Sequence, residues 1–216
     1  MKKILSLTFI LVVLLACSVK PKYELEVNIT NNSSLIDAKM VLTQKTEGEV
    51  VYADTVKIKK GNFRLDIPYE NSALLFVTIP NTAITNVMIV AEEGKVFLNI
   101  DKEKVSIGGT PLNDRLQVFY NGNDSVSQLF KQLEEKYVKL GEEGLSTPET
   151  GIQYSEARSL LLKENTDRII AFTKENIDNQ LGEYFYVSNY FMSPLERRLE
   201  MNLFITDRIK KQLGFE

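Results

Sequence analysis

The sequence predicts an α+β protein: an antiparallel β-sandwich over residues 23–109, then a helical C-terminal half over residues 110–216. Hydrophobic periodicity carries that expectation. From Tyr23 to Gly109 apolar residues alternate with polar ones, the period of half-buried strands, and Gly, Pro and Asn punctuate the runs. After Gly109 apolar residues recur at three- and four-residue intervals, the period of amphipathic helices. A third observation stands ahead of both: a short apolar run that ends at the only cysteine in the chain.

Met1-Lys2-Lys3 is basic, and Ile4 to Ala16 is apolar apart from Ser6 and Thr8. That run is shorter than the roughly 20 residues a membrane span needs. A positive start, a short apolar stretch and a small residue before a cut site describe a secretory signal peptide over residues 1–16. Leu14-Leu15-Ala16-Cys17 resembles the lipobox of bacterial lipoproteins. The resemblance implies cleavage between Ala16 and Cys17, lipid on the Cys17 thiol, and anchoring in a membrane through that lipid. Residues 17–22 are then a tether. Ser18 is not the Asp that retains many such proteins in the inner membrane, and Ser18 to Lys22 lacks the acidic run of surface-exported ones. By those sorting rules the expected location is the periplasmic face of the outer membrane of a Gram-negative bacterium.

The strands follow in order. Val56, Ile58, Phe63, Leu65 and Ile67 place apolar side chains on alternate positions across Lys60-Gly61-Asn62, which predicts a hairpin. Leu75 to Ile79, Val87 to Val90 and Val96 to Ile100 continue the series, with a break at Pro80-Asn81 and a turn at Gly94-Lys95. Six to eight short strands are expected, and Phe63, Leu65, Val77, Ile89 and Leu98 are expected in the core.

The helices come next. Leu116, Phe119, Leu129, Phe130, Leu133, Tyr137 and Leu140 mark a helix or helix pair, with a turn expected at Asn121-Gly122-Asn123-Asp124. Gly141 to Gly151 reads as a loop. A second helix is expected from about Gln153 to Asn176 and a third from Leu181 to Met192. Ser193-Pro194 reads as an N-cap and first-turn proline, opening a fourth helix with a stripe of Leu195, Leu199, Leu203, Ile205, Ile209 and Leu213. The run "YFYVSNYFM" holds five aromatics within 184–191, and Tyr184, Tyr186 and Tyr190 are candidate partner-surface residues, weighed against burial in the core.

Composition removes several kinds of chemistry. There is no His and no Trp, so a Ser-His-Asp or Cys-His arrangement cannot be built, and ordinary zinc sites are out of reach. With Cys17 lipidated, no thiol remains for redox work. Removing residues 1–16, which hold two lysines and no acid, takes the formal charge from −3 to −5. An acidic body offers no electrostatic footprint for nucleic acid. Glu92-Glu93, Glu134-Glu135 and Glu142-Glu143 read as solvated faces, because adjacent residues point apart on helix or strand. The Asn121 to Asp124 run lacks the spaced oxygens and terminal Glu of a calcium loop. No metal and no cofactor are expected.

The junction "VSIGGTPLNDRLQVFYN", residues 105–121, is the most specific stretch after the cysteine. It resembles domain of unknown function 4369, found at the N-terminus of many bacterial thiol:disulfide interchange lipoproteins. The matching residues are Gly109, Thr110, Asn113 and Asp114, and "DTVKIKKGNFRLDI" and "VMIVAEEGKVFLNI" resemble the family's strand pairs. The likeness spans roughly residues 23–192. Asn113 and Asp114 suit the first helical turn and are also candidate partner-surface residues. Longer members of the family continue into a thioredoxin-like domain with a Trp-Cys-x-x-Cys site. This sequence runs to "KKQLGFE" with neither the tryptophan nor the cysteine pair, so that redox activity carries over to no residue. The expected function is a non-catalytic, lipid-anchored periplasmic binding or scaffold module, with a thioredoxin-like or cell-envelope protein as candidate partner. The alternative is an accessory to a separate thioredoxin-like oxidoreductase.

Overall fold

A computed structural model describes residues 23–46, 49–67, 73–102 and 104–215. Ala16 and Cys17 therefore lie outside the described residues. Among the described residues, eight strands and then five α-helices follow one another, the α+β order expected.

The strands are β1 Tyr23–Thr30, β2 Lys39–Thr46, β3 Glu49–Lys57, β4 Asn62–Ile67, β5 Leu74–Thr78, β6 Val87–Val90, β7 Gly94–Asp101 and β8 Lys104–Gly108. They form two four-stranded sheets, ordered β4-β1-β7-β8 and β3-β2-β5-β6. Five of the six pairings are antiparallel, and β1 runs parallel to β7 from Tyr23 opposite Gly94 to Thr30 opposite Asp101. Leu25, Val27, Val96, Leu98 and Ile100 from one sheet meet Met40, Leu42, Leu75, Val77 and Ile89 from the other in one buried cluster. Full burial of such side chains stabilises by about 1.5–3 kcal/mol each.

The expected hairpin across Gly61 is not formed. β3 pairs with β2 and β4 pairs with β1, so residues 58–61 carry the chain from one sheet to the other. Ile58 is held at the corner by Ala38, whose carbonyl accepts from Ile58 N at 2.9 Å, and its side chain is fully buried. Alternation survives the crossing because both strands face the same core. Leu65 is only half-buried, unlike Phe63, Val77, Ile89 and Leu98. It sits on β4, an edge strand with a neighbour on one side alone.

The helices are α1 Pro111–Glu142, α2 Pro148–Glu175, α3 Gln180–Tyr190, α4 Leu195–Met201 and α5 Asp207–Leu213. α1 runs unbroken through Asn121-Gly122-Asn123-Asp124, where a turn was expected. The reason is tertiary. Arg168 of α2 lies against Gly122, donates from Nη1 to Phe119 O at 3.0 Å, hydrogen-bonds Asn123, and covers the Phe119 ring at 4.4 Å. α2 begins at Pro148, earlier than expected, because Thr147 and Thr150 form a reciprocal capping box.

Ser193 does not cap a helix. Its hydroxyl donates to Asn189 O at 2.8 Å, and Pro194 occupies the position before α4. The fourth helix is two short ones, separated by a single 3-10 turn at Asn202–Phe204 and restarted by Thr206, whose hydroxyl accepts from Ile209 N. Of the expected apolar stripe, Ile209 is buried whereas Leu195, Leu199 and Leu203 are exposed. Ile170, Tyr186, Tyr190, Met201 and Ile209 make a second, smaller core among the helices.

Candidate functional site

The most heavily bonded polar cluster lies where β8 turns into α1. Glu92, half-buried just past β6, accepts at Oε2 from the Thr110 hydroxyl at 2.6 Å, Leu112 N at 2.8 Å and Asn113 N at 3.3 Å. First-turn amides have no partner within their own helix, so a carboxylate from the connection between β6 and β7 caps α1 and favours its dipole. The Thr110 side chain, at the N-cap position, makes no cap bond of its own. Reading Glu92 as a solvated residue was therefore wrong, and its partners 18 to 21 residues away left no local signature. Glu93 beside it is exposed.

Asn113 is fully buried, and its side chain caps no backbone amide of its own helix turn. Its Oδ1 accepts from Val90 N, and its Nδ2 donates to Val90 O and to Thr110 Oγ1. Asp114 is exposed and accepts from Gly109 N at 2.9 Å. Gly109 has φ +93°, and a Cβ there would lie 2.4 Å from Lys95 O and from the Phe97 ring. The Gly-Thr-x-x-Asn-Asp pattern is thus a fastener between helix and sheets.

The fastening extends along α1. Asn113, Gln117 and Tyr120 stand at i, i+4 and i+7, on one face. Gln117 Oε1 accepts from Ile107 N at 2.6 Å, and the Tyr120 hydroxyl is hydrogen-bonded by the Met88 backbone. These three side chains meet the outer edges of β6 and β8, which have no strand beyond them among the described residues. Unpaired strand edges invite pairing with other chains, and here a helix satisfies them instead. Burial pushes the Tyr120 hydroxyl up to about 12, against the smaller effect of the Met88 bond, so it works as a neutral hydrogen-bonding group.

Beside this stripe lies a cleft of about 280 Å³, lined by Asn86, Lys104, Val105, Tyr120, Asn121 and Asp124 among others. It offers amides, one cation and one carboxylate. Among the described residues, no group of three or more His, Cys, Asp or Glu side chains is placed to hold a metal ion. Nor, among them, is any helix long and apolar enough to cross a membrane.

The aromatic run divides. Tyr186 and Tyr190 are buried and stack on each other at 5.5 Å, so they offer no partner surface. Burial raises the pKa of the Tyr186 hydroxyl. Asn113 is likewise withdrawn from any surface role. Tyr184 remains partly exposed and packs on Phe76 of β5 at 5.7 Å, where α3 covers the outer face of its sheet. Phe119, Phe172 and Phe185 complete that contact, with ring centroids 4.4 to 5.0 Å apart.

Fold and junction together define a β-sandwich domain whose β6 and β8 edges are closed by a following helix. Residues 23–116 match the family model described as Domain of unknown function (DUF4369), so the resemblance read from the junction holds over that stretch. The match takes in all eight strands and ends just past Asn113 and Asp114. It is narrower than the span to residue 192 expected from sequence, and most of the helical half lies outside it. Curated proteins and solved structures contain no match to the chain.

Proposed function

We propose that this chain is a lipid-anchored module on the periplasmic face of the outer membrane that docks another envelope protein and catalyses no reaction. The address rests on the lipobox-like Leu14 to Cys17, and the absence of catalysis on a chain with no His and a single cysteine consigned to lipid. The docking role is carried by one observation. No side chain from Asn121 to Ile169 is fully buried.

Those residues make a two-helix arm of α1 and α2, about 30 Å long at 1.5 Å per residue. Its seam is half-buried, with Tyr137 against Tyr154 at 5.0 Å. Leu129, Val138, Leu145, Ile152, Leu160 and Leu162 face outward from it. Helices this long draw most of their stability from packing of an apolar face, and here that packing is left for a partner to complete.

The anchor is tested by fatty-acid labelling, which Cys17→Ala should abolish while the precursor accumulates uncleaved. Docking is tested with photo-crosslinkers at Val138 and Leu160 in intact cells. One envelope protein should attach from both positions and not from Lys60 in the 58–61 crossover. Attachment from none of them, or equally from all three, defeats the docking role. A thioredoxin-like protein as the attached species selects the accessory role.

A further inference from the structure

The stripe of α1 that closes the strand edges has a fourth member. After Asn113, Gln117 and Tyr120 the same helical spacing falls on Asp124. The first three side chains bond strand-edge backbone. The exposed Asp124 carboxylate meets no partner among the described residues and lines the cleft of about 280 Å³ instead. Lys104 of β8 lines the same cleft, and its ammonium is likewise unpaired among them. Asp101, its cross-strand neighbour on β7, accepts from Asn31 instead. Two opposite charges thus share one cleft without pairing with each other.

Strand β8 adds backbone groups. Ile107 N turns away from β7 to meet Gln117, so Val105, two residues back in the antiparallel ladder, turns its N–H and C=O to the same edge. Neither group has a partner among the described residues. Two side-chain amides of the cleft are set as donors. Asn121 Oδ1 accepts from Gln117 Nε2 at 2.8 Å, and Asn123 Oδ1 accepts from Arg168. Each Asn therefore has its NH₂ group left to give.

We propose that this cleft binds a free dipeptide. Asp124 receives its ammonium, Lys104 and the two Asn amides receive its carboxylate, and Val105 pairs with the peptide bond that joins them. Extended peptides commonly bind exposed strand edges through such main-chain bonds. The lining discriminates against other occupants. A segment inside a longer chain has neither terminus and leaves both charges unmatched. A single amino acid has both charges but no amide for Val105. The volume agrees, because sites for larger ligands run from about 300 to 1,000 Å³. The proposal depends on neither the lipid anchor nor docking at the arm.

Alanyl-alanine is titrated into the isotope-labelled full-length protein and followed by amide spectra and calorimetry. Saturable shifts are expected at the Val105 amide and at the Asn121 and Asn123 side chains. Lys104→Gln and Asp124→Asn alter exposed side chains that hold nothing in the fold. Asp124→Asn should weaken alanyl-alanine about tenfold and leave N-acetyl-alanyl-alanine, which lacks the ammonium, unchanged. Lys104→Gln should weaken alanyl-alanine similarly and leave alanyl-alanine amide, which lacks the carboxylate, unchanged. The absence of saturable shifts overturns the proposal, as do shifts confined to residues outside the cleft. Binding that neither variant weakens does so too, and alanine bound as tightly as alanyl-alanine removes the role of Val105 and with it the dipeptide.

Discussion

The side-chain amide of Asn113 pairs with both backbone groups of Val90, accepting from its N–H at 2.9 Å and donating to its carbonyl at 2.7 Å. An amide side chain thereby replaces the strand that β6 lacks on that edge. Buried backbone groups left without partners cost about 1–3 kcal/mol each. Asn113→Ala should therefore destabilise by about 2–5 kcal/mol, allowing for partial relaxation. Exposed Asp114→Ala, which removes one bond to Gly109 N, should cost about 1 kcal/mol. Urea unfolding of the two variants measures the difference, and equal midpoints would show that the fastening is energetically unimportant.

Gly109 joins that fastening to the sheet. A methyl group there would overlap Lys95 O and the Phe97 ring, on a backbone with φ +93°. Left-handed strain costs about 1–3 kcal/mol and overpacking about as much again. Gly109→Ala should leave little soluble folded protein. Phe97→Ala in the same background removes the ring but not the carbonyl clash, so it should rescue folding only in part, as read by circular dichroism.

Gly122 tests the packing of the arm. A Cβ at this position would sit 2.9 Å from Arg168 Nη1, which must then move away from Phe119 O. Alanine is the better helix former by about 1 kcal/mol, so helix propensity alone predicts stabilisation. Here Gly122→Ala should instead loosen the contact between α1 and α2. Faster amide exchange at the base of the arm is the expected result. Slower exchange would mean that propensity outweighs the Arg168 contact.

Glu183 supplies a pH dependence. It is buried on α3, and burial raises its carboxyl above the ordinary value of 4.5, with Arg208 of α5 opposing that shift only in part. A folded-state value above the unfolded one means that the fold favours the protonated form. The group's stabilising contribution is full below the unfolded value and is lost as pH rises through the folded one. Glu183→Gln should therefore gain stability relative to wild type as pH climbs from about 4.5 toward neutrality. Arg208→Ala should do the reverse at neutral pH, costing about 1–3 kcal/mol by leaving the carboxylate unpaired. Thermal melts of the three proteins across that range decide it, and parallel curves would contradict the assigned direction.

Period and punctuation alone determined much of this protein. They placed six to eight strands before the helices and located the junction at Gly109. Burial at Phe63, Val77, Ile89 and Leu98 was legible for the same reason: alternation reports which side of a strand is apolar. Alternation does not report what that side packs against. Val56 to Ile67 reads identically as a hairpin or as a crossing between sheets, and only the pairing of β3 with β2 and of β4 with β1 distinguishes them. Asn121-Gly122-Asn123 favours a turn locally, yet Arg168, 46 positions on from Gly122, made it the interior of a helix. The Leu195, Leu199 and Leu203 stripe has the spacing of a core face, but Met201 and Ile209 took the inward positions. Glu92 had no local signature at all. Which partner a residue meets depends on contacts between segments far apart in the chain, and those exist only once the chain has folded.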